Sequence, residues 1–244
     1  MIALNRIHRM DAFEGMAQLP DNSVDLIVTD PPYNIASAQR LIVQRGVLMS
    51  TQEAWGRWDT FHPFDYDLFI QRVLSACYRV LKPGGALYMF TAREDNGYFV
   101  HKAVQRGFTY RNQLVMVRKS PLPSLAKKNF RSGYEVCLYI TKGKPGTFNF
   151  LSQAECNNVY PYASNFKRTE HPTEKPLEVI RRLVLVSSQP GDLVLDPFMG
   201  SGTTAVACVQ TGRRFVGFEK EPEYVRMAKE RFKDIAKDTT QEAA

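Results

Sequence analysis

The chain has 244 residues, 44% hydrophobic and 23% charged, which is enough apolar material for one domain with a real core. No run approaches the roughly 20 apolar residues of a membrane span, and MIALNRIHRMDAFEG lacks the apolar stretch and small-residue cleavage pattern of a secretory signal. The four cysteines, Cys77, Cys137, Cys156 and Cys208, form no CxxC pair, so neither a zinc site nor a disulfide framework is supported, and a reduced cytoplasmic protein is expected.

In chain order, IALNRI is a short candidate strand and DAFEGMAQL a helix ending at Pro20. VDLIVTD is a buried-type strand, LFIQRVLSACYRVL (68–81) an amphipathic helix stopped by KPGG, and ALYMF (86–90) a second buried strand. EDNGYFVHKAVQRGF reads as a helix. NQLVMVRK (112–119) and YEVCLYIT (134–141) alternate as strands, and KPLEVIRRLVLVSS (175–188) is a strong helix. DLVLD is a strand, GTTAVACVQT a helix, RFVGFE a strand and PEYVRMAKERFKDIAK a last helix, with DTTQEAA as a frayed tail. Continuously apolar strands separated by helices predict an α/β fold, a doubly wound and mostly parallel sheet covered on both faces. Residues 34–64 and 142–172 lack strong periodicity, and loops that long are functional or mobile.

The formal charge of +7 is unevenly spread. Residues 101–182 hold 15 Lys and Arg against 5 Asp and Glu, a surplus of ten, so the rest of the chain carries −3. Either this is a solvated basic face or it is a nucleic-acid surface, and clustering favours the second.

Two stretches carry the chemistry. In TDPPYN (29–34) an apolar strand runs into an acid, two prolines and an aromatic. Asp-Pro-Pro also reads as a turn that ends a strand, but one proline would suffice. In DLVLDPFMGSGTT (192–204) a strand ends in Asp196 before a glycine loop and a helix, and the next strand ends in Glu219. Glycines admit close backbone approach, Thr203 and Thr204 open a helix with free N–H groups, and a strand-end acid can accept both ribose hydroxyls. No Lys follows GSG, so this is no Walker loop. The pattern points to an adenosine-type ligand.

Taken together, the two stretches resemble the amino-methyltransferases of DNA, over about residues 4–235. Asp30-Pro31-Pro32-Tyr33 matches their catalytic tetrad, DPFMGSGTT their cofactor loop and HPTEKP (171–176) a cofactor motif just before it. The catalytic motif comes first and the cofactor loop last, which resembles the circularly permuted β class. The resemblance implies the S-adenosylmethionine-dependent methyltransferase fold, with seven strands of which one is antiparallel. It implies a single domain over 1–244, a basic DNA-recognition insert at about 119–172 and a mobile DNA-contacting loop at about 34–64. The cofactor implied is S-adenosyl-L-methionine, and the reaction is methylation of the exocyclic N6 of adenine in double-stranded DNA with the base flipped out. The alternative is cytosine N4. An Asp-first tetrad leans toward adenine. An RNA or protein-glutamine enzyme fits less well, because the tetrad and motif order differ, and a non-catalytic DNA-binding protein would not need both motifs. A homodimer and a cognate restriction endonuclease are the further partners the family allows. No metal is called for.

An aryl amine is a poor nucleophile, because its lone pair is delocalised into the ring. Asp30 and the Pro31 carbonyl would accept its two hydrogens, the prolines would fix the acceptors without a competing N–H, and Tyr33 would stack on the base. A turn carboxylate and a packed core aromatic are the plainer readings of Asp30 and Tyr33. By the resemblance, Asp196, Phe198, Gly200, Ser201, Gly202 and Thr203 line the methionine and adenosine, and Glu219 holds the ribose. Thr173 and Lys175 lie near the methionine carboxylate. Asp11 either meets the adenine amino group or caps the helix after it. His171 has no catalytic role. Lys127, Lys128, Arg131, Lys167 and Arg168 are candidate phosphate contacts, and Arg40, Arg45, Trp55 and Trp58 sit in the loop after the tetrad. A solvated basic loop, or aromatics that merely anchor it, remains open for these positions.

Overall fold

The computed structural model of the chain describes residues 2–34, 41–44, 47–50, 61–121, 127–128, 130–163, 169 and 173–241. The strands are β1 (Arg6–Arg9), β2 (Val24–Thr29), β3 (Leu41–Gln44), β4 (Val47–Ser50), β5 (Leu81–Thr91), β6 (Thr109–Arg118), β7 (Tyr134–Thr141), β8 (Val159–Tyr162), β9 (Leu193–Asp196) and β10 (Arg214–Glu219). The helices are α1 (Ala12–Ala17), α2 (Pro63–Val80), α3 (Asn96–Gln105), α4 (Leu177–Ser187), α5 (Thr203–Gln210) and α6 (Pro222–Gln241).

Eight strands form one sheet in the order β1-β10-β9-β2-β5-β7-β6-β8, and β3 with β4 form a separate antiparallel pair. Neighbours from β1 to β5 are parallel, and β7 runs against both β5 and β6. The expected doubly wound sheet with one reversed strand is therefore present, with eight strands where seven were expected. The extra one, β8, pairs parallel to β6 at the outer edge. It comes from VYPY, inside a stretch read as aperiodic. Pro161 hides the strand signal, and an edge strand tolerates it because its outer N–H has no ladder partner.

The central strands are apolar on both faces because both are covered. Val24, Ile27, Leu87 and Met89 pack with Met16, Ile70, Leu74 and Phe99 from α1, α2 and α3. Leu26, Val28, Tyr88 and Phe90 pack with Ile180, Val184, Ala205 and Ala228 from α4, α5 and α6.

Several boundaries moved. Helix α2 starts at Pro63 instead of 68, because proline suits the first helical position, where its missing N–H costs nothing. Strand β5 runs through KPGG from Leu81, with an irregular register against β2 and Gly84 at φ 82°. Strand β1 is Arg6–Arg9, after a left-handed Asn5 whose side chain accepts from the Phe215 N–H at 3.0 Å. Helix α6 continues to Gln241, into the segment read as a frayed tail. Residues 34–64 hold the β3–β4 pair, and residues 119–172 supply the sheet strands β7 and β8.

Parallel register sets the site. Arg9 lies opposite Glu219, Gly217 opposite Asp196 and Leu195 opposite Ile27. Asp11, Glu219, Asp196 and Asp30 therefore emerge at one edge of the sheet. Sequence order turns outward in opposite directions from the β9–β2 boundary, and that crevice is where such folds bind ligands.

Helix α1 reaches this edge closely because Gly15 sits against the Phe218 ring, where an added Cβ would come within 2.4 Å of a ring carbon. Gly15→Ala should therefore destabilise the protein by about 1–3 kcal/mol despite alanine's better helix propensity. Urea unfolding checks this, and an unchanged or raised midpoint would show that the ring yields freely.

Candidate active site

A cavity of about 340 Å³ opens at the carboxyl ends of β1, β2, β9 and β10. One wall is the acid-bearing strand ends. Asp30 and Pro32 follow β2, Asp196 ends β9 and Glu219 ends β10. A second wall is the loop before α5, with Phe198, Gly200, Ser201 and Thr203. Thr173 and Lys175, just before α4, and Asp11, at the head of α1, complete the ring of sequence-predicted residues. Apolar contacts come from Met10, Phe13, Phe69 and Phe218.

Three predicted residues are not part of the cavity lining. Two are Pro31 and Tyr33, neighbours of Asp30 and Pro32, with Tyr33 half-buried against the α4–α6 side of the core. Gly202 caps α5 at φ 81°, and a Cβ there would lie 3.0 Å from Ala228, so this glycine lets the loop approach α6.

The Asp30 carboxylate has two partners. Lys175 Nζ donates to Oδ2 at 2.6 Å, and the Tyr33 hydroxyl donates to Oδ1. Burial raises the Asp30 pKa above its ordinary range, and Lys175 opposes the rise. Burial alone would lower the Lys175 pKa, but Asp30 and then Glu135 overcome it, so Lys175 remains an ammonium. That ammonium was expected near a ligand carboxylate, whereas here it is bound to the tetrad acid. Its 5.5 Å approach to the Tyr33 ring centre adds a cation–π contact.

The acids on the other side are held by backbone and hydroxyl donors. Asp11 Oδ1 caps α1, accepting from Phe13 N–H at 2.8 Å and Glu14 N–H at 3.4 Å, while the residue also lines the cavity. The two readings of Asp11 are thus compatible. Glu219 accepts from Gly200 N–H through Oε2 and from Glu221 N–H through Oε1, each at 2.9 Å, and burial raises its pKa. Asp196 is 5% exposed and accepts from the Thr204 hydroxyl at 2.6 Å and Phe198 N–H at 3.1 Å. Burial pushes its carboxyl up to about 7, with Asp30 and Glu219 adding to the rise and its two donors opposing it.

Three groups escaped sequence reading. Glu135 opens β7 and accepts from Arg118 Nη2 at 2.6 Å and from the Tyr162 hydroxyl at 2.8 Å. Burial would raise its pKa, yet Lys175 and Arg118 bring it down to about 2. Glu174, inside HPTEKP, has a side chain only 1% exposed and pairs with Arg231 of α6 at 2.9 Å. Arg231 also donates to Thr203 Oγ1 at 3.0 Å, which ties that motif to the glycine loop. The available clue was a charge at a place that should be apolar, since Arg231 is about one turn from the buried Ala228 and two from the buried Val225.

The candidate phosphate contacts are less gathered. Lys127, Lys128 and Arg131 are exposed, with Phe130 between them 97% exposed. Arg131 donates to the Pro121 carbonyl. Arg40, Trp55, Lys167 and Arg168, together with Arg45, Trp58 and His171, lie outside the described residues. Among the described residues no group of three or more His, Cys, Asp and Glu could hold a metal, and no helix is long and apolar enough to cross a membrane.

A family model of the N6/N4 methyltransferases, described as DNA methylase, matches residues 24–230, which covers both the tetrad and the glycine loop. The chain belongs to this DNA methylase family. Among its relatives are Type II methyltransferase M.HinfI of Haemophilus influenzae, 30% identical over 95% of this chain and 69% of the relative, and M1.MboII of Moraxella bovis, 30% identical over 93% and 96%. The crystal structure of the M1.HpyAVI–SAM complex superposes with a TM-score of 0.71 at 26% identity, covering 93% of this chain and 98% of that one. PvuII DNA methyltransferase, cytosine-N4-specific, shares the fold at a TM-score of 0.68 and 20% identity, over 94% and 90%. Asp30 of the first motif and Asp196, Phe198 and Gly200 of the second line the same cavity of this methylase, although they lie far apart in the chain.

The raised Asp196 pKa has a consequence for stability. Unfolded aspartate releases its proton near pH 4, whereas folded Asp196 holds it to about 7. The fold thus favours the protonated form, and this contribution is complete below about pH 4 and is lost as pH rises through about 7. Asp30 and Glu219 are shifted in the same direction. The ligand-free methylase should therefore melt at lower temperature at about pH 8 than at about pH 5, and Asp196→Asn should flatten the slope. Calorimetry across this range tests it. A melting temperature that climbs with pH would contradict the assignment.

Proposed function

We propose that this methylase transfers a methyl group from S-adenosylmethionine to the exocyclic N6 of an adenine flipped out of duplex DNA. The observation that carries the reading is the position of Asp30, which lies on the same cavity wall as Asp196 and Glu219, one strand from the glycine loop. The donor set suits the cofactor. Glu219 and Asp11 are acceptors for hydroxyl and amino groups, Phe198 and Phe13 offer apolar faces, and the loop before α5 brings backbone close. When bound, S-adenosylmethionine supplies an electrophilic methyl on sulfonium sulfur.

The residues of this chain do the positioning. Asp30 and the Pro31 carbonyl accept the two amino hydrogens, which directs the nitrogen lone pair toward the methyl. The tetrad prolines hold these acceptors at fixed φ. Lys175 opposes the rise that burial imposes on the Asp30 pKa, and the Tyr33 hydroxyl fixes the orientation of the carboxylate. Stacking of the base on the Tyr33 ring is part of the same reading. The exposed Lys127, Lys128 and Arg131 supply phosphate contacts, joined by Arg40, Lys167 and Arg168, with Trp55 against the DNA. An acid at the head of the tetrad favours adenine over cytosine N4.

Labelled S-adenosylmethionine with unmethylated bacterial DNA, digested to nucleosides, tests the reaction. N6-methyladenine is expected, whereas N4-methylcytosine would keep the mechanism and change the base. Asp30→Ala should slow methyl transfer by about 10²-fold or more while cofactor affinity stays within about twofold. Turnover like that of the parent protein would remove Asp30 from the chemistry. DNA affinity should fall steeply between about 50 and about 200 mM salt. A flat response would remove the basic segment from the DNA surface.

A further inference from the structure

Both oxygens of Asp30 are already engaged, Oδ1 by the Tyr33 hydroxyl and Oδ2 by Lys175 Nζ at 2.6 Å. An amino group arriving at Asp30 has to share an oxygen with one of these donors and competes with it for the carboxylate's charge. Lys175 cannot simply be released, because its side chain is 9% exposed and its ammonium lies 5.0 Å from the Phe90 ring centre. An ammonium moved off its carboxylate in such a place needs another anion close by.

One is in place. Glu135 Oε2 lies 3.5 Å from the same Nζ. Its other oxygen is anchored by Arg118 Nη2 at 2.6 Å and the Tyr162 hydroxyl at 2.8 Å, and Arg118 Nε donates to that hydroxyl oxygen at 2.9 Å. Two carboxylates and two cations thus share one cluster, which a shift of Lys175 between the carboxylates leaves neutral. The groups facing Lys175 are Asp30 and Tyr33 after β2, Glu135 on β7 and Tyr162 on β8. Cys137, also on β7, is buried nearby with its thiol pushed up by burial, so it adds no charge.

We propose that Lys175 is a shared counter-ion that moves from Asp30 to Glu135 when the target amino group arrives, and that Glu135 is the positioning residue that permits the move. The proposal rests on the reading of Asp30 as the acceptor of that amino group. The shift is about 1 Å, within reach of a lysine side chain without backbone change. The anchor also sits at the neck of the basic segment. Arg118 ends β6, Glu135 opens β7, and the Arg118 N–H bonds the Gly133 carbonyl at 2.8 Å.

The test compares Glu135→Gln, Glu135→Asp and Asp30→Ala in single-turnover methyl transfer with labelled S-adenosylmethionine. Cofactor and DNA affinities are measured alongside by titration. Glu135→Gln should slow the single-turnover step by at least about tenfold, because Lys175 stays on Asp30, while both affinities change by less than about twofold. Glu135→Asp keeps the charge and should fall between the Gln variant and the parent. A merely structural role would weaken binding or the yield of folded protein and leave the rate of the bound complex intact. A parent-like rate in Glu135→Gln overturns the proposal. If that variant does not fold, Glu135→Asp decides, since a reduced rate with unchanged affinities supports the proposal and a parent-like rate overturns it. An active Asp30→Ala would instead overturn the reading of Asp30, whatever the Glu135 variants do.

Discussion

The site is organised around one buried positive charge. Lys175 reaches Asp30 at 2.6 Å and Glu135 at 3.5 Å from a segment between the basic region and α4. Burying an ammonium is costly unless anions meet it, and burying Asp30 is costly unless a cation does. Each group therefore makes the other tolerable. The pairing joins residues 30, 135 and 175, which come from three widely separated parts of the chain. Strands β2, β5 and β7 must be side by side for these side chains to meet, so the sheet order and the charge cluster require one another.

The opposite half of the cavity is held differently. Asp11, Asp196 and Glu219 accept from backbone N–H and hydroxyl donors of nearby turns and of the loop before α5. Carboxylates solvated by local dipoles keep lone pairs directed outward to a ligand, and their raised pKa values at Asp196 and Glu219 reflect burial that such dipoles only partly offset. Arg231 then links the two segments that border this half, through Glu174 and Thr203. One half of the cavity is thus stabilised by full charges and the other by dipoles.

Much of this was legible in the sequence because the relevant signals are local. LIV, ALYMF, LVL and FVGF are apolar or small on consecutive residues, which only a strand covered on both faces explains, and all but ALYMF lead into an acid that lines the cavity. Asp30, Asp196 and Glu219 could be picked out because an acid directly after such a run is out of place in a core. Glu135 carries no such signal. It opens a strand, where a charge ordinarily faces solvent, and only the arrival of Lys175 and Arg118 from elsewhere makes it a buried partner. Lys175 was expected beside the cofactor's carboxylate and its pairing with Asp30 was not foreseen, since a lysine's reach of several ångströms lets it serve either side of a cavity. The LIVQ and VLMS pair was passed over for a related reason. Four-residue strands are too short for periodicity to stand out inside a long polar loop.

Pro161 on β8 bears on how copies of this protein can meet. An open sheet presents unpaired N–H and C=O groups at its two margins, and such margins recruit strands from neighbouring molecules. Here one margin is a four-residue strand interrupted by an imino acid, and the other is the equally short β1, with Arg6 and Arg9 at its ends. Neither offers a continuous ladder to a second chain. Assembly by continuing the sheet from molecule to molecule is therefore disfavoured at both ends. Self-association through side chains on helices and loops, which can be specific about partner and stop at a closed number of copies, escapes this limit.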